Sequence, residues 1–173
     1  TKVNFGNDGM ANIDYMHVSQ VEVPYTGDVA PIGYANTSAD ADGIIRSYLP
    51  ITMVEDANGK VTEYTSLSYQ VYLEYCENMN LTPVQPNTDA NGVQWIYYAG
   101  KPYEYESISL IDILEGKVDA RVFTDCIVLV GAYATGLQDQ FSVPNSSNQM
   151  FGVEINANII QGFLDEQYPL PAN

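Results

Sequence analysis

The pattern of apolar and polar positions divides the chain into short strands and helices. Its most apolar run is Cys126-Ile127-Val128-Leu129-Val130, ending abruptly at Gly131. Five apolar residues in a row, three of them Ile or Val, predict a strand buried on both faces. A polar, turn-rich loop from Tyr133 to Gln149 follows, and Gly152-Val153-Glu154-Ile155-Asn156-Ala157 opens a helix. Val153, Ala157, Ile160 and Leu164 recur at helical spacing, and Ile159 and Phe163 widen that face. Strand, long loop and helix is the arrangement in which α/β proteins place binding groups, beyond the carboxyl end of a strand.

Upstream, Val21 and Val23 flank Glu22 in a short extended piece before Pro24. A strand is predicted to Asn36, then a tight turn over Asp40-Ala41-Asp42-Gly43, then a strand from Ile44 to about Val54. Two identical tetrapeptides, Asp56-Ala57-Asn58-Gly59 and Asp89-Ala90-Asn91-Gly92, carry the Asn-Gly signal of a type I′ hairpin turn. The first joins strands on either side, and the second leads into a strand over Val93 to Tyr98. Thr65 or Ser66 caps a helix to about Met79, with Leu67, Val71, Tyr75 and Met79 as its apolar stripe. Ser107 to Glu115 reads as a shorter helix with Ile108, Ile111 and Leu114 inward and Gly116 as its stop. The alternation of hairpins with helices predicts an α/β fold with a mixed β-sheet and helices packed on its faces.

Charge narrows the function. Six Lys plus Arg stand against 22 Asp plus Glu, for a net charge of -16. Such a chain is repelled by nucleic-acid phosphates and anionic headgroups, which excludes nucleic acid as a partner and suits an exported or cell-surface setting. No apolar run reaches the ~18 residues of a membrane span, and no cationic start precedes an apolar core, so the reading is of a soluble piece of something longer. Cys76 and Cys126 show no disulfide framework, and whether they pair stays open. Cys126, inside the apolar run, is expected to be a buried small hydrophobe.

Catalytic chemistry is sparse. His17 is the sole histidine, and no Gly-x-Ser-x-Gly elbow, phosphate loop or dinucleotide fingerprint occurs. The Asp40-x-Asp42-Gly43 turn does not fit an EF-hand, which needs glycine at the sixth position and glutamate at the twelfth. Arg46 is expected to pair with a nearby carboxylate. Asp139 is the best single candidate in the long loop, either fixing the loop's shape by accepting its N–H groups or contacting a ligand.

Several of these stretches, taken in order, resemble one family. They are Gly33-Tyr34-Ala35-Asn36, Asp40 to Arg46, Ser109 to Gly116, Ile127 to Ala132, Gly136-Leu137-Gln138-Asp139, Pro144, and Gly152 to Asn158. Together, over residues 30 to 166, they resemble the second type of CHASE domain, the extracellular sensor of bacterial cyclases, histidine kinases and serine/threonine kinases. The resemblance implies one non-catalytic extracellular sensor domain over residues 1–173, with 1–29 unassigned and no cofactor. Its signal is a small molecule or protein, and the domain is attached to transmembrane helices and a cytoplasmic output domain, with a homodimer as one possible assembly. Tyr168 to Pro171 is then the exit toward the membrane. Asn156 stands where the family often has histidine, so no imidazole role carries over. The candidate ligand-binding residues are Asp40, Asp42, Arg46, Asp139 and Glu154. The competing readings are a metal-assisted hydrolase, with Asp40, Asp42, Asp139 and Glu154 converging on a cation, and a cell-surface interaction module with a flat apolar interface.

Overall fold

A computed structural model describes residues 3–5, 11–13, 31–55, 58–134, 136–137 and 139–169. His17, the Val21 to Val23 piece and part of the first Asn-Gly loop lie outside them. The described elements in order are β1 (Val3–Phe5), β2 (Ala11–Ile13), β3 (Ser47–Tyr48), β4 (Ile51–Glu55), β5 (Val61–Thr65), α1 (Leu67–Met79) and β6 (Gln94–Trp95). They continue with α2 (Leu110–Leu114), a 3-10 turn over Ala120–Phe123, β7 (Gln140–Phe141), β8 (Met150–Phe151) and α3 (Gly152–Leu164). The fold is α/β, as the alternation predicts. Its strands pair antiparallel as β1-β2, β3-β6, β4-β5 and β7-β8, and parallel bridges join Tyr34 to Ser66 and Ile44 to Ser142.

The stretch predicted as one strand from Ile44 to Val54 is broken at Leu49-Pro50 into β3 and β4. Pro50 has no N–H to give a ladder, and its carbonyl instead accepts from Ser66 N at 2.8 Å. The Asn-Gly loops are not two-residue type I′ turns. Glu55 pairs with Val61, leaving a five-residue loop, and Gly59 and Gly92 are left-handed while Asn58 and Asn91 are not. At the second loop the Asp89 side chain accepts from Asn91 N at 2.8 Å and Val93 N at 3.0 Å, which bends the chain before glycine takes the positive φ. Asp40 to Gly43 repeats the pattern: Asp40 N donates to Ile44 O and Gly43 N to Asp40 O, both at 2.9 Å.

The core lies between α1 and α3. Ser66 caps α1, its hydroxyl accepting from Tyr69 N at 3.2 Å, and left-handed Asn80 ends the helix. The buried face is Ser68, Tyr69, Tyr72 and Cys76 rather than the predicted Leu67, Val71, Tyr75, Met79 row. A row spaced strictly by four residues drifts ~40° per step around a helix of 3.6 residues per turn, and Met79 ends up exposed. Ser68 Oγ donates to Asn156 Oδ1 at 2.7 Å, and the Phe163 ring stacks on Tyr72 at 4.8 Å and meets Tyr69 at 5.1 Å. Early residues of α1 therefore meet early residues of α3, so the two helices run in the same direction with their N-termini at one end. Ile45, Ile96, Val143 and Met150 close the core from the strands and loops.

The predicted central strand is not one. Residues 126–130 pair with no strand among the described residues, and Val130 is 80% exposed. Cys126 is exposed with a free thiol, and Cys76 is buried and free. The shorter helix begins at Leu110 rather than Ser107. None of its residues is buried, and Ile111 and Leu114 are 64% and 77% exposed, the reverse of the predicted inner face. Gly116, at φ 70°, does follow its end. The predicted Val93 to Tyr98 strand contracts to β6, and the strand to Asn36 contracts to the bridge at Tyr34.

Candidate functional site

The shared end of α1 and α3 borders a cavity of about 610 Å³. Its walls are residues 35–38, Leu67 of α1, residues 129–131, Asp139 with Phe141, and Gly152, Val153, Ile155 and Asn156 of α3. Glycine makes each close approach possible. A Cβ at Gly33 would lie 2.4 Å from the Leu67 Cα, so only glycine lets residues 33–38 cross the start of α1. Tyr34 N then donates to Thr65 O and Leu67 N to Tyr34 O, which fixes that segment as one wall. A Cβ at Gly131 would lie 2.8 Å from the Val153 Cβ, which seats the end of the apolar run against α3.

Asp139 belongs to this cavity. Its backbone carbonyl accepts from Gly152 N at 3.0 Å, and both carboxylate oxygens lie 2.8 Å from where a Cβ at Gly152 would be. The negative group thus faces the first turn of α3, where the helix dipole is positive. Opposite it, Asn156 is held by Ser68 Oγ and by its own Nδ2 donating to Gly152 O at 2.9 Å. Those two bonds orient the amide.

The other predicted site residues fall elsewhere. Arg46 forms ion pairs with Asp40 at 2.6 Å and Asp42 at 2.8 Å on the exposed turn. The Arg46 guanidinium, helped by Ile44 N, lowers the Asp42 carboxyl to about 2. These three close a turn and do not line the cavity. Glu154 is 2% exposed and accepts from Tyr103 N at 2.7 Å, Phe151 N at 3.1 Å and the Tyr133 hydroxyl at 3.3 Å. It ties three segments to the start of α3. Burial, with the Glu154 carboxylate beside it, raises the Tyr133 hydroxyl above its ordinary value. Asn158, fully buried one turn on, accepts from Gly100 N at 2.9 Å and donates to Glu154 O. The four carboxylates invoked for a hydrolase thus do not converge: Asp40 and Asp42 share the Arg46 turn, Asp139 lines the cavity, and Glu154 is buried against backbone N–H groups. Among the described residues no group of three or more His, Cys, Asp or Glu is placed to hold a metal ion.

Residues 7–172 match the CHASE2 domain. The chain belongs to the CHASE2 domain family. CHASE2 is a sensory extracellular domain found in signalling receptors. The match agrees with the resemblance carried by residues 30–166 and reaches into the amino-terminal stretch that had no assignment. No curated protein and no solved structure matches this chain. In this CHASE2 domain the stretches behind the resemblance, Gly33 to Asn36, Ile127 to Ala132, Asp139 and Gly152 to Asn156, meet around the cavity. Asn36, Thr37, Ser38 and Asn156 are lining residues absent from the predicted site. The available signal was the polar run after Tyr34, which reads equally as an ordinary turn. No helix among the described residues is long and apolar enough to cross a membrane.

Proposed function

We propose that residues 1–173 are one non-catalytic input domain of a membrane-bound bacterial receptor, with a cyclase, histidine kinase or serine/threonine kinase as its cytoplasmic output. The signal is a small molecule bound in the cavity between residues 35–38, residues 129–131, Asp139 and the start of α3. One observation carries this reading: the cavity lies where α3 begins, and its volume of about 610 Å³ is within the range of small-ligand sites. A ligand there touches Gly152, Val153 and Asn156 directly. α3 is packed along its length on α1, so a displacement at its start is carried as a rigid element toward Tyr168, which lies against Phe163. Signalling then amounts to ligand favouring one of two placements of α3.

The test uses the native full-length receptor. Ser38→Trp fills the cavity from an exposed position. The variant receptor is expected to reach the membrane and lose its ligand-dependent output, read as cyclic nucleotide or phosphotransfer. A full response from this variant overturns the cavity as the sensing site. A second reading, a cell-surface interaction module or homodimer, is favoured by the exposed apolar side chains of Ile111, Leu114, Val128 and Val130.

A further inference from the structure

We propose that the cavity selects a small organic cation, a primary ammonium on an apolar body, with Asp139 as its counter-charge; this rests on the cavity being the ligand site. Asp139 is the one ionisable residue among those that line it. Three cations of the described chain are already held by carboxylates of their own: Arg46 by Asp40 and Asp42, Lys117 by Asp112 and Glu115, and Arg121 by Asp119, and none of them lines the cavity. The Asp139 carboxylate has no side-chain ion pair or hydrogen bond among the described residues. It lies against Gly152 at the cavity wall, and a ligand ammonium there completes it with charge-assisted hydrogen bonds.

The rest of the lining sets the remainder of the ligand. Leu129, Phe141 and Val153 offer apolar surface, and Thr37 and Ser38 offer hydroxyls. An anion is disfavoured twice, by Asp139 itself, which already faces the positive end of α3, and by the net charge of -16, which concentrates cations near the surface and repels anions. A hard metal ion is a poor match, because Ca²⁺ takes six to eight oxygens, usually several of them carboxylate, and one carboxylate is present here.

The test is titration calorimetry on the 173-residue chain near neutral pH with three probes of one shape: phenethylamine, phenethyl alcohol and phenylacetate. The amine is expected to bind most tightly. Asp139→Asn should weaken the amine about tenfold or more, the size of a lost hydrogen bond to a charged group, and leave the alcohol unchanged. Ser38→Trp should abolish binding of all three, with circular dichroism showing both variants folded. Preference for the alcohol or the carboxylate, or an amine affinity unchanged by Asp139→Asn, overturns the cation proposal. If Ser38→Trp still blocks binding in that case, the cavity reading stands alone. Binding that survives Ser38→Trp overturns the cavity reading, and absence of binding by every probe counts against both.

Discussion

The last helix and the stretch from Leu110 to Val130 are both rich in apolar residues, yet they meet opposite fates. In α3, Ile155, Ile159, Ile160 and Phe163 are buried, and so are the polar Glu154 and Asn158. In α2 nothing is buried, and Val128 and Val130 are exposed although they belong to the most apolar run of the chain. The difference is the surface each one meets. α3 runs beside α1, and Phe163 packs between Tyr69 and Tyr72. Its polar residues enter the core because each is bonded: Glu154 accepts three donors, and Asn158 bridges Gly100 N and Glu154 O. Buried polar groups are tolerated only when paired in this way. α2 is five residues long, too short to be stable without packing, since short helices depend on tertiary contacts. Apolar character alone therefore does not decide burial. A partner surface does.

Three substitutions probe that contrast. Phe163→Ala removes the ring on which both α1 tyrosines rest and should destabilise the fold by about 3–5 kcal/mol, measured by denaturant unfolding. A loss under ~1 kcal/mol, the scale of a surface change, would mean that the α1–α3 contact is not the core. Glu154→Leu puts an apolar side chain at a buried position but strips the acceptor from Phe151 N and Tyr103 N. The expected cost is about 2 kcal/mol, the penalty of orphaned buried donors. The same variant should release Tyr133, seen as faster hydrogen exchange around residues 131–134. Unchanged exchange there would separate Glu154 from the cavity wall. Leu114→Ser changes an exposed position and should stay within ~0.5 kcal/mol. A larger, concentration-dependent loss, checked by light scattering, would mean that this face is covered in solution, as an interaction module requires.

Parts of this molecule were legible beforehand. Ser66 as the α1 cap, the end of that helix at Met79, the start of α3 at Gly152 and the stop at Gly116 all follow from local chemistry, and each is where the residues put it. The pairing of Arg46 with neighbouring carboxylates was equally local, four and six residues apart. The candidate cavity was barely legible: one of the five candidate residues lines it. Asp139 was singled out from the loop and does line the cavity, but Asp40, Asp42, Arg46 and Glu154 are engaged elsewhere. Charge in a sequence does not say whether a carboxylate meets an arginine, a row of backbone N–H groups or open space.

By itself, then, the sequence determined the family, the caps and turns, the acidity and the positions of both long helices, because these depend on residues within a few places of one another. Only the tertiary structure decided which face of α1 is inside, that the run from Cys126 to Val130 pairs with no strand among the described residues, and that residues 35–38, Asp139 and Asn156 share one cavity. Those outcomes depend on contacts between segments far apart in the chain, such as Ser68 with Asn156, 88 residues away. A periodicity of 3.6 or 2 specifies a face but does not name the surface that covers it.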